Sequence, residues 1–483
     1  MTSTLEATAI AQNLIGGEWA GTSDFERMNP ARTGQIASVS PSSTVETLSN
    51  AIGAASAAQR KWAALPMPSR GAILMAAGEI LRGRIGIVAA DLVREEGKTL
   101  AEATGEVNRA IDVLRFFGSL GWAASGDVLP SGLPGTSIHT RREPLGVVGL
   151  ITPWNFPIAI PAWKMAPALL AGNSVVLKPA ELTPMSATHL AMALMDAGLP
   201  EGVLNVVHGK GRVIGEALAK DKRIAALSFT GSTNVGLGLH RALSERRARV
   251  QLEMGGKNGV LVLDDASPCG AAQVIAAGGF GLTGQACTAT SRVYATPGIF
   301  PALLDELAGL ARNYVPGDGL DPATTMGVVV SEQQLATDIA AVEGATRRGA
   351  RVVQGGRSNG QAFEATVITN VSNDDPVVTD EIFGPVVAVL EVPDYEEGLA
   401  QINNSSYGLT AGICTDSLAR STDFTQRAQA GVVKVNRPTA GLDLNVPFGG
   451  IGDSSTNTFR EQGHSALEFF SWGKTIYTGV EEL

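Results

Sequence analysis

The sequence predicts an α/β protein built on a doubly wound parallel sheet, with a second α/β unit after it. Three observations carry this expectation. Short apolar runs alternate with helical stretches from 146 to 256, a second strand–helix series runs from about 259 to 435, and the chain from Val45 to Trp122 has helical periodicity. Alternation at this spacing sets successive strands parallel in one sheet, with helices on both faces.

In chain order, VETLSNAIGAASAAQRKWAAL, RGAILMAAGEILRGR and GEVNRAIDVLRFFGSLGWAA place apolar residues three and four apart, as amphipathic helices do. Around 123–144 the Pro and Gly residues break the helical pattern, and SIHTRRE alternates like an exposed strand. GVVGLIT (146–152), SVVLKP (174–179), VLNVVHG (203–209), IAALSFTG (224–231) and VQLEMGG (250–256) read as strands. PAWKMAPALLAG, MSATHLAMALMDAG and VGLGLHRALSERR are helices between them. The second series has the strands GVLVLD, SRVYAT, RVVQGG, PVVAVLEV and GVVKVN. A Gly-, Ser- and Pro-rich loop and the amphipathic stretch KTIYTGV end the chain, and no repeat is visible.

Composition narrows the function. Only Cys269, Cys287 and Cys414 occur among 483 residues, which offers no disulfide framework and fits a reducing compartment. The first residues lack the basic head and long apolar core of a secretory signal, and no apolar run approaches the ~20 residues a membrane span needs. A soluble, cytoplasmic protein is expected. The net charge of −10 argues against a nucleic-acid partner.

Six motifs bear chemistry. Cys287 sits in GQACTAT, where small neighbours leave a substrate room to approach a thiolate; the alternative is an inert buried thiol, the reading that suits Cys269 and Cys414. In GLITPWNFP a strand runs into a turn from which Asn155 can aim an amide at a developing oxyanion, a donor worth ~3–4 kcal/mol, unless it merely caps backbone. In LEMGGKN, Glu253 follows a strand, on the edge where doubly wound folds keep ligands. It could serve as a general base, or form a surface ion pair. SFTGSTNVG leads a strand through glycine and hydroxyl residues into a helix, which suits a pyrophosphate only weakly by itself. Lys178 and Glu181 in VVLKPAE are spaced to bond the two hydroxyls of a ribose, and Glu381 precedes an aromatic residue and a Gly-Pro turn in DEIFGPV.

Together, PWNFP, KPAE, FTGS, E-x-GGKN, GQ-x-C, EIFGP and NNSSYGLTAGI resemble the aldehyde dehydrogenase superfamily, in its order, over nearly the whole chain. The resemblance implies Cys287 as nucleophile, Asn155 and the Cys287 backbone N–H as oxyanion hole, Glu253 as general base and Lys164 as an active-site lysine. For the cofactor it implies Trp154, Lys178, Glu181, Gly231, Ser232, Glu381 and Phe383, with NAD favoured over NADP because Glu181 would repel a 2′-phosphate. Phe156, Trp163 and Phe448 would line the aldehyde tunnel. Two positions depart from the family: Gly452 stands where a lysine is common after PFGG, and EMGGK replaces ELGGK, a volume-conserving change.

The implied chemistry is oxidation of an aldehyde to a carboxylate through a cysteine thioester. An acylating dehydrogenase that uses coenzyme A would not need Glu253. A Cys–His hydrolase finds no partner motif among the five histidines, and a non-catalytic dinucleotide scaffold would not keep every catalytic position filled. The family implies a cofactor domain at 1–122 and 145–254, a catalytic domain at 255–464, and oligomerisation segments at 123–144 and 465–483, hence a dimer or dimer of dimers. GQACTATSR, VNRPTAGLDLNVPFGG and SSTNTFREQG resemble a subgroup that oxidises the semialdehyde of 2-oxoglutarate. Such a substrate needs a cation at the tunnel mouth, for which Arg115 and Arg437 are the candidates unless they are surface residues; the alternative is a general aliphatic or aromatic aldehyde dehydrogenase.

Overall fold

In the computed structural model, residues 8–123 and 126–479 are described. Four helices open the fold: α1 (Val45–Ala63), α2 (Met67–Gly83), α3 (Ile85–Glu96) and α4 (Leu100–Ser119). The break between α3 and α4 is written in three residues. Gly97 takes the left-handed conformation (φ 99°) that ends a helix, and Thr99 with Glu102 forms a reciprocal capping box that starts the next. Where α2 meets α4, a side chain at Gly71 would lie 2.3 Å from the Gly118 carbonyl, so glycine alone permits this approach.

The first sheet has seven strands. Its parallel part runs Arg249–Glu253, Ile224–Thr230, Val147–Ile151, Ser174–Lys178, Leu204–Val206, as the apolar runs predict. Asn13–Ile15 and Glu18–Ala20 extend it antiparallel; strands this short leave no periodicity to read. Alternate residues face opposite cores: Val148 and Leu150 pack with α4 and with α5 (Ala159–Leu170), Val147 and Ile151 with α1 and Leu239. The register sets Ile151 beside Lys178 and Thr230 beside Glu253, so the predicted motifs leave one edge together, at the strands' C-terminal ends.

The second sheet runs Arg351–Gln354, Thr366–Thr369, Val386–Glu391, Thr290–Ala295, Asn258–Val262, Thr410–Cys414, Val432–Val435, parallel except for its first strand. Only Met254 to Lys257 separate Glu253 from Asn258, so the C-terminal edge of the first sheet faces the N-terminal edge of the second. The site lies in that seam. A third sheet pairs Ser471–Gly479 with Thr136–Pro144 and Val128–Leu129, all antiparallel. Of the expected oligomerisation segments and cofactor domain, residues 1–7, 124–125 and 480–483 lie outside the described residues.

Candidate active site

The Cys287 loop follows the helix Pro268–Phe280 through Leu282, Thr283 and Gly284, with φ of 54°, 57° and 65°. Two consecutive left-handed residues with side chains are strained, and strain of this kind survives only where surroundings hold it. They do: the Glu102 carboxylate accepts from the Leu282 amide (2.7 Å), Asn258 Nδ2 donates to the carbonyls of Cys287 (2.8 Å) and Ala289 (2.9 Å), and Thr439 donates to that of Thr288 (2.7 Å). Asn155, buried, donates through Nδ2 to the Gln285 carbonyl (2.9 Å), which brings the PWNFP turn against the loop and leaves one amide N–H uncommitted.

That turn is itself clamped. Lys98 Nζ donates to the Asn155 carbonyl (2.7 Å) and pairs with Glu106 (2.7 Å), while Glu106 accepts from the amides of Ile158 (3.0 Å) and Ala159 (3.1 Å). Lys98 also lies 5.0 Å from the centre of the Phe156 ring. Burial pulls the Lys98 pKa down, but Glu106 and Glu96 outweigh it and hold the ammonium above its ordinary value. Although Cys287 keeps a partly open surface, burial pushes its thiol well up, and Glu253, Glu381 and Glu461 add to the push.

Glu253, 2 % exposed, has no hydrogen-bond partner for either carboxylate oxygen; the pull of the Gly450 amide falls short of a formed bond. Burial and then Glu461 hold its pKa well above the carboxylate range, with Lys164 and Arg460 pulling back. Buried Lys164 donates to Ser228 Oγ (2.7 Å) and to Glu461, whose other oxygen is unpartnered. A side chain at Gly449 would lie 2.5 Å from Glu253 Oε1, so the bare backbone there makes space for the carboxylate. Phe448 pairs with Glu461 through backbone in both directions (2.7 and 2.6 Å), and its ring lies 6.1 Å from that of Trp163.

The residues expected at the cofactor border two clefts. Ile151, Phe229, Val235 and Leu239 line a cleft of about 520 Å³ between Gly211–Lys220 and the helix Thr233–Glu245, apolar enough for a purine. Burial lowers the Lys178 pKa to about 8 against the pull of Glu181, and Glu181 accepts from the Gly211 amide (2.7 Å). Ser232 stands at the N-terminus of Thr233–Glu245 without capping it, and a side chain at Gly231 would strike the Phe229 ring at 2.6 Å. A cleft of about 840 Å³ then runs from Ser232 and Thr233 to Glu381 and Tyr407. Glu381 accepts from the Gly256 amide (2.9 Å), and burial raises its pKa. Phe383, at φ 65°, meets Trp154 edge-on at 5.4 Å. An apolar slot, a helix N-terminus and a buried carboxylate in this order fit a nicotinamide dinucleotide.

The aldehyde dehydrogenase family model matches residues 19–476. The chain belongs to the aldehyde dehydrogenase family. It is 43 % identical over 480 residues to the alpha-ketoglutarate semialdehyde dehydrogenase of Haloferax volcanii, covering 97 % of this chain and 99 % of that protein. To the 2,5-dioxopentanoate dehydrogenase of Saccharolobus solfataricus it is 42 % identical, covering 94 % and 96 %. The crystal structure of betaine aldehyde dehydrogenase from Staphylococcus aureus in complex with NAD+ superposes with a TM-score of 0.94 at 28 % identity, over 99 % of this chain and 97 % of that one. This aldehyde dehydrogenase is thus an NAD(P)-dependent oxidoreductase. No helix among its described residues is long and apolar enough to cross a membrane.

The structure corrects two substrate expectations. Arg115 is half-exposed on α4, turned onto α2, with Glu79 3.3 Å away, because its helical phase points it away from α5 and the seam. Arg437 is exposed and donates to the carbonyl of its neighbour Asn436 (3.1 Å); it borders a cleft with Ser267, Asp416 and Cys414, at the C-terminal end of the strand Thr410–Cys414, whereas the seam lies at the N-terminal edge of that sheet. Gly452 (φ 58°) backs onto the Ser406 carbonyl, which leaves no room for the side chain common there. Sequence reasoning missed Lys98, Glu106 and Glu461. A charge inside an apolar helical run was the available signal for Glu106, whereas Lys98 lies in the break between α3 and α4 and Glu461 in a loop whose return to the seam no pattern announces.

Proposed function

We propose that this aldehyde dehydrogenase oxidises an acid semialdehyde, the five-carbon semialdehyde of 2-oxoglutarate, to the dicarboxylate, with Cys287 as nucleophile and Glu253 as general base. The observation that carries the mechanism is Glu253: a buried carboxylate with no partner and a raised pKa, in the seam that holds the Cys287 loop, is placed to take a proton from water. The names of the relatives at 42–43 % identity support the substrate.

In this reading the Cys287 sulfur adds to the aldehyde carbon, and the free N–H of Asn155 with the Cys287 amide holds the oxyanion. The bound nicotinamide supplies the hydride acceptor and a positive charge that favours the thiolate. Loss of hydride leaves a thioester on Cys287; water, giving its proton to Glu253, adds to it and returns the thiol and the acid. Lys178 and Glu181 would hold the adenine ribose, Ser232 the pyrophosphate and Glu381 the nicotinamide ribose, with NAD preferred because the Glu181 carboxylate would repel a 2′-phosphate. The third sheet mediates assembly into dimers or tetramers, and the enzyme works in the cytoplasm. Absorbance at 340 nm with an aldehyde panel, either cofactor and no coenzyme A tests the reading. Cys287→Ser should keep less than about a tenth of kcat, and Glu253→Gln should show a burst of reduced cofactor followed by a slow steady rate. A requirement for coenzyme A, or burst and steady rate falling together, would sink it.

A further inference from the structure

We propose that Arg109, Gln462 and Trp163 form the carboxylate-binding end of the substrate tunnel; this rests on the acid-semialdehyde reading and names the groups that would enforce it. Arg109 lies on α4 and reaches to the loop that returns to the seam. Its Nη2 donates to the Asp443 carbonyl (2.9 Å) and to Gln462 Oε1 (2.8 Å). Asp443 and Asp112 attract it, but both are exposed and neither forms an ion pair with it among the described residues. Its Nε and Nη1 remain without a protein acceptor.

Gln462 supplies a second, independent observation. It is 2 % exposed, and its Nε2 has no partner. Because a guanidinium only donates, the Gln462 oxygen must be the atom facing Arg109, so the amide N–H₂ is directed elsewhere and buried without an acceptor. The backbone at Gln462 is left-handed, φ 59°. Its neighbour Glu461 is the residue that meets Lys164 and pairs with Phe448, and the Phe448 ring lies beside Trp163, whose Nε1 is a further buried donor without a partner.

Arg109 is thus tied to Gln462, Gln462 follows the residue that pairs with Phe448, and Phe448 lies beside Trp163, so one cationic and two buried neutral N–H donors without an acceptor follow one another along this part of the fold. A carboxylate offers the acceptors that set lacks, and a neutral aldehyde tail does not. Arg115 and Arg437 show neither the burial nor the link to Glu461.

The test compares kcat/KM for 2,5-dioxopentanoate and for pentanal, with thermal unfolding to check that each variant is folded. Arg109→Gln should lower the acid-to-neutral ratio by about tenfold or more, mainly through KM, and Arg109→Lys should recover part of it. Gln462→Glu, which sets an anion in place of the donor, should lower the ratio as well, whereas Arg115→Gln and Arg437→Gln should leave it unchanged. Glutarate should inhibit pentanal oxidation competitively in the native enzyme and lose that grip in Arg109→Gln. A ratio that survives Arg109→Gln overturns the subsite. If the native enzyme shows no preference for the acid, the proposed substrate fails instead, and glutarate still decides the subsite: equal inhibition of native and Arg109→Gln enzyme overturns it.

Discussion

Glu253 and Glu461 share one buried region with a single lysine, and that arrangement has a pH signature. Glu253 can accept a proton only when ionised, and its pKa is held above the carboxylate range by burial and Glu461, with Lys164 opposing. Deacylation therefore fails as pH falls through this raised value, not through the ordinary one. Removing the negative charge in Glu461→Gln lowers the Glu253 pKa and should move the acid limb of the kcat profile to lower pH. Removing the positive charge in Lys164→Met raises it and should move the limb to higher pH. Limbs that moved in the same direction in both variants would show that Glu253 is not the group titrating. The grouping of Cys287, Asn155 and Glu253 was legible in short motifs because each sits beside a strand end or turn that the apolar pattern marks. Arg109 and Glu461 were not, since their places depend on how residues 443–462 fold back over α4 and α5.

At the scale of elements, α3, α4 and the PWNFP turn act as one unit through the Lys98–Glu106 pair. Lys98 is 1 % exposed and Glu106 is 5 % exposed, with Glu96 beside them; burial raises the Glu96 pKa to about 7, with Lys98 pulling it back. Breaking a buried pair by removing one partner typically destabilises by about 3–5 kcal/mol, because a charge is left uncompensated. Lys98→Met should accordingly lower the unfolding midpoint, and because the Asn155 carbonyl loses its donor, kcat should fall at least about tenfold. Calorimetry with steady-state kinetics checks this; an unshifted midpoint would mean that packing alone holds the turn. The helices α1, α2 and α4 and most of the parallel strands were readable from period alone, whereas Thr366–Thr369 and Thr410–Cys414 were not read as strands. The short strands before Val45, the left-handed run at 282–284 and the antiparallel turn of Arg351–Gln354 were not, since tertiary contacts rather than local pattern fix them.

For the whole molecule, the third sheet is the part proposed to mediate assembly. Its register sets Leu129, Ile138 and Tyr477 in one row across three strands, so the three share a face. Tyr477 is 64 % exposed and Leu129 45 %, while Val128 (86 %), Leu133 (63 %) and Trp122 (83 %) stand out nearby. Three antiparallel strands carrying this much exposed apolar surface are marginal alone, and a patch of this kind marks an association site. The Val128–Leu129 strand also leaves one edge unpaired. A second subunit covering this face accounts for both features, in line with the composition change at 123–144. Replacing Leu129 and Tyr477 together with Lys puts two like charges into that contact, and sedimentation velocity should then show a species of half the native mass or less. Since the sheet is separate from the seam that holds Cys287, turnover per subunit should outlast dissociation. Native enzyme that sediments as a monomer, or a double variant of unchanged mass, would remove the third sheet from any role in assembly.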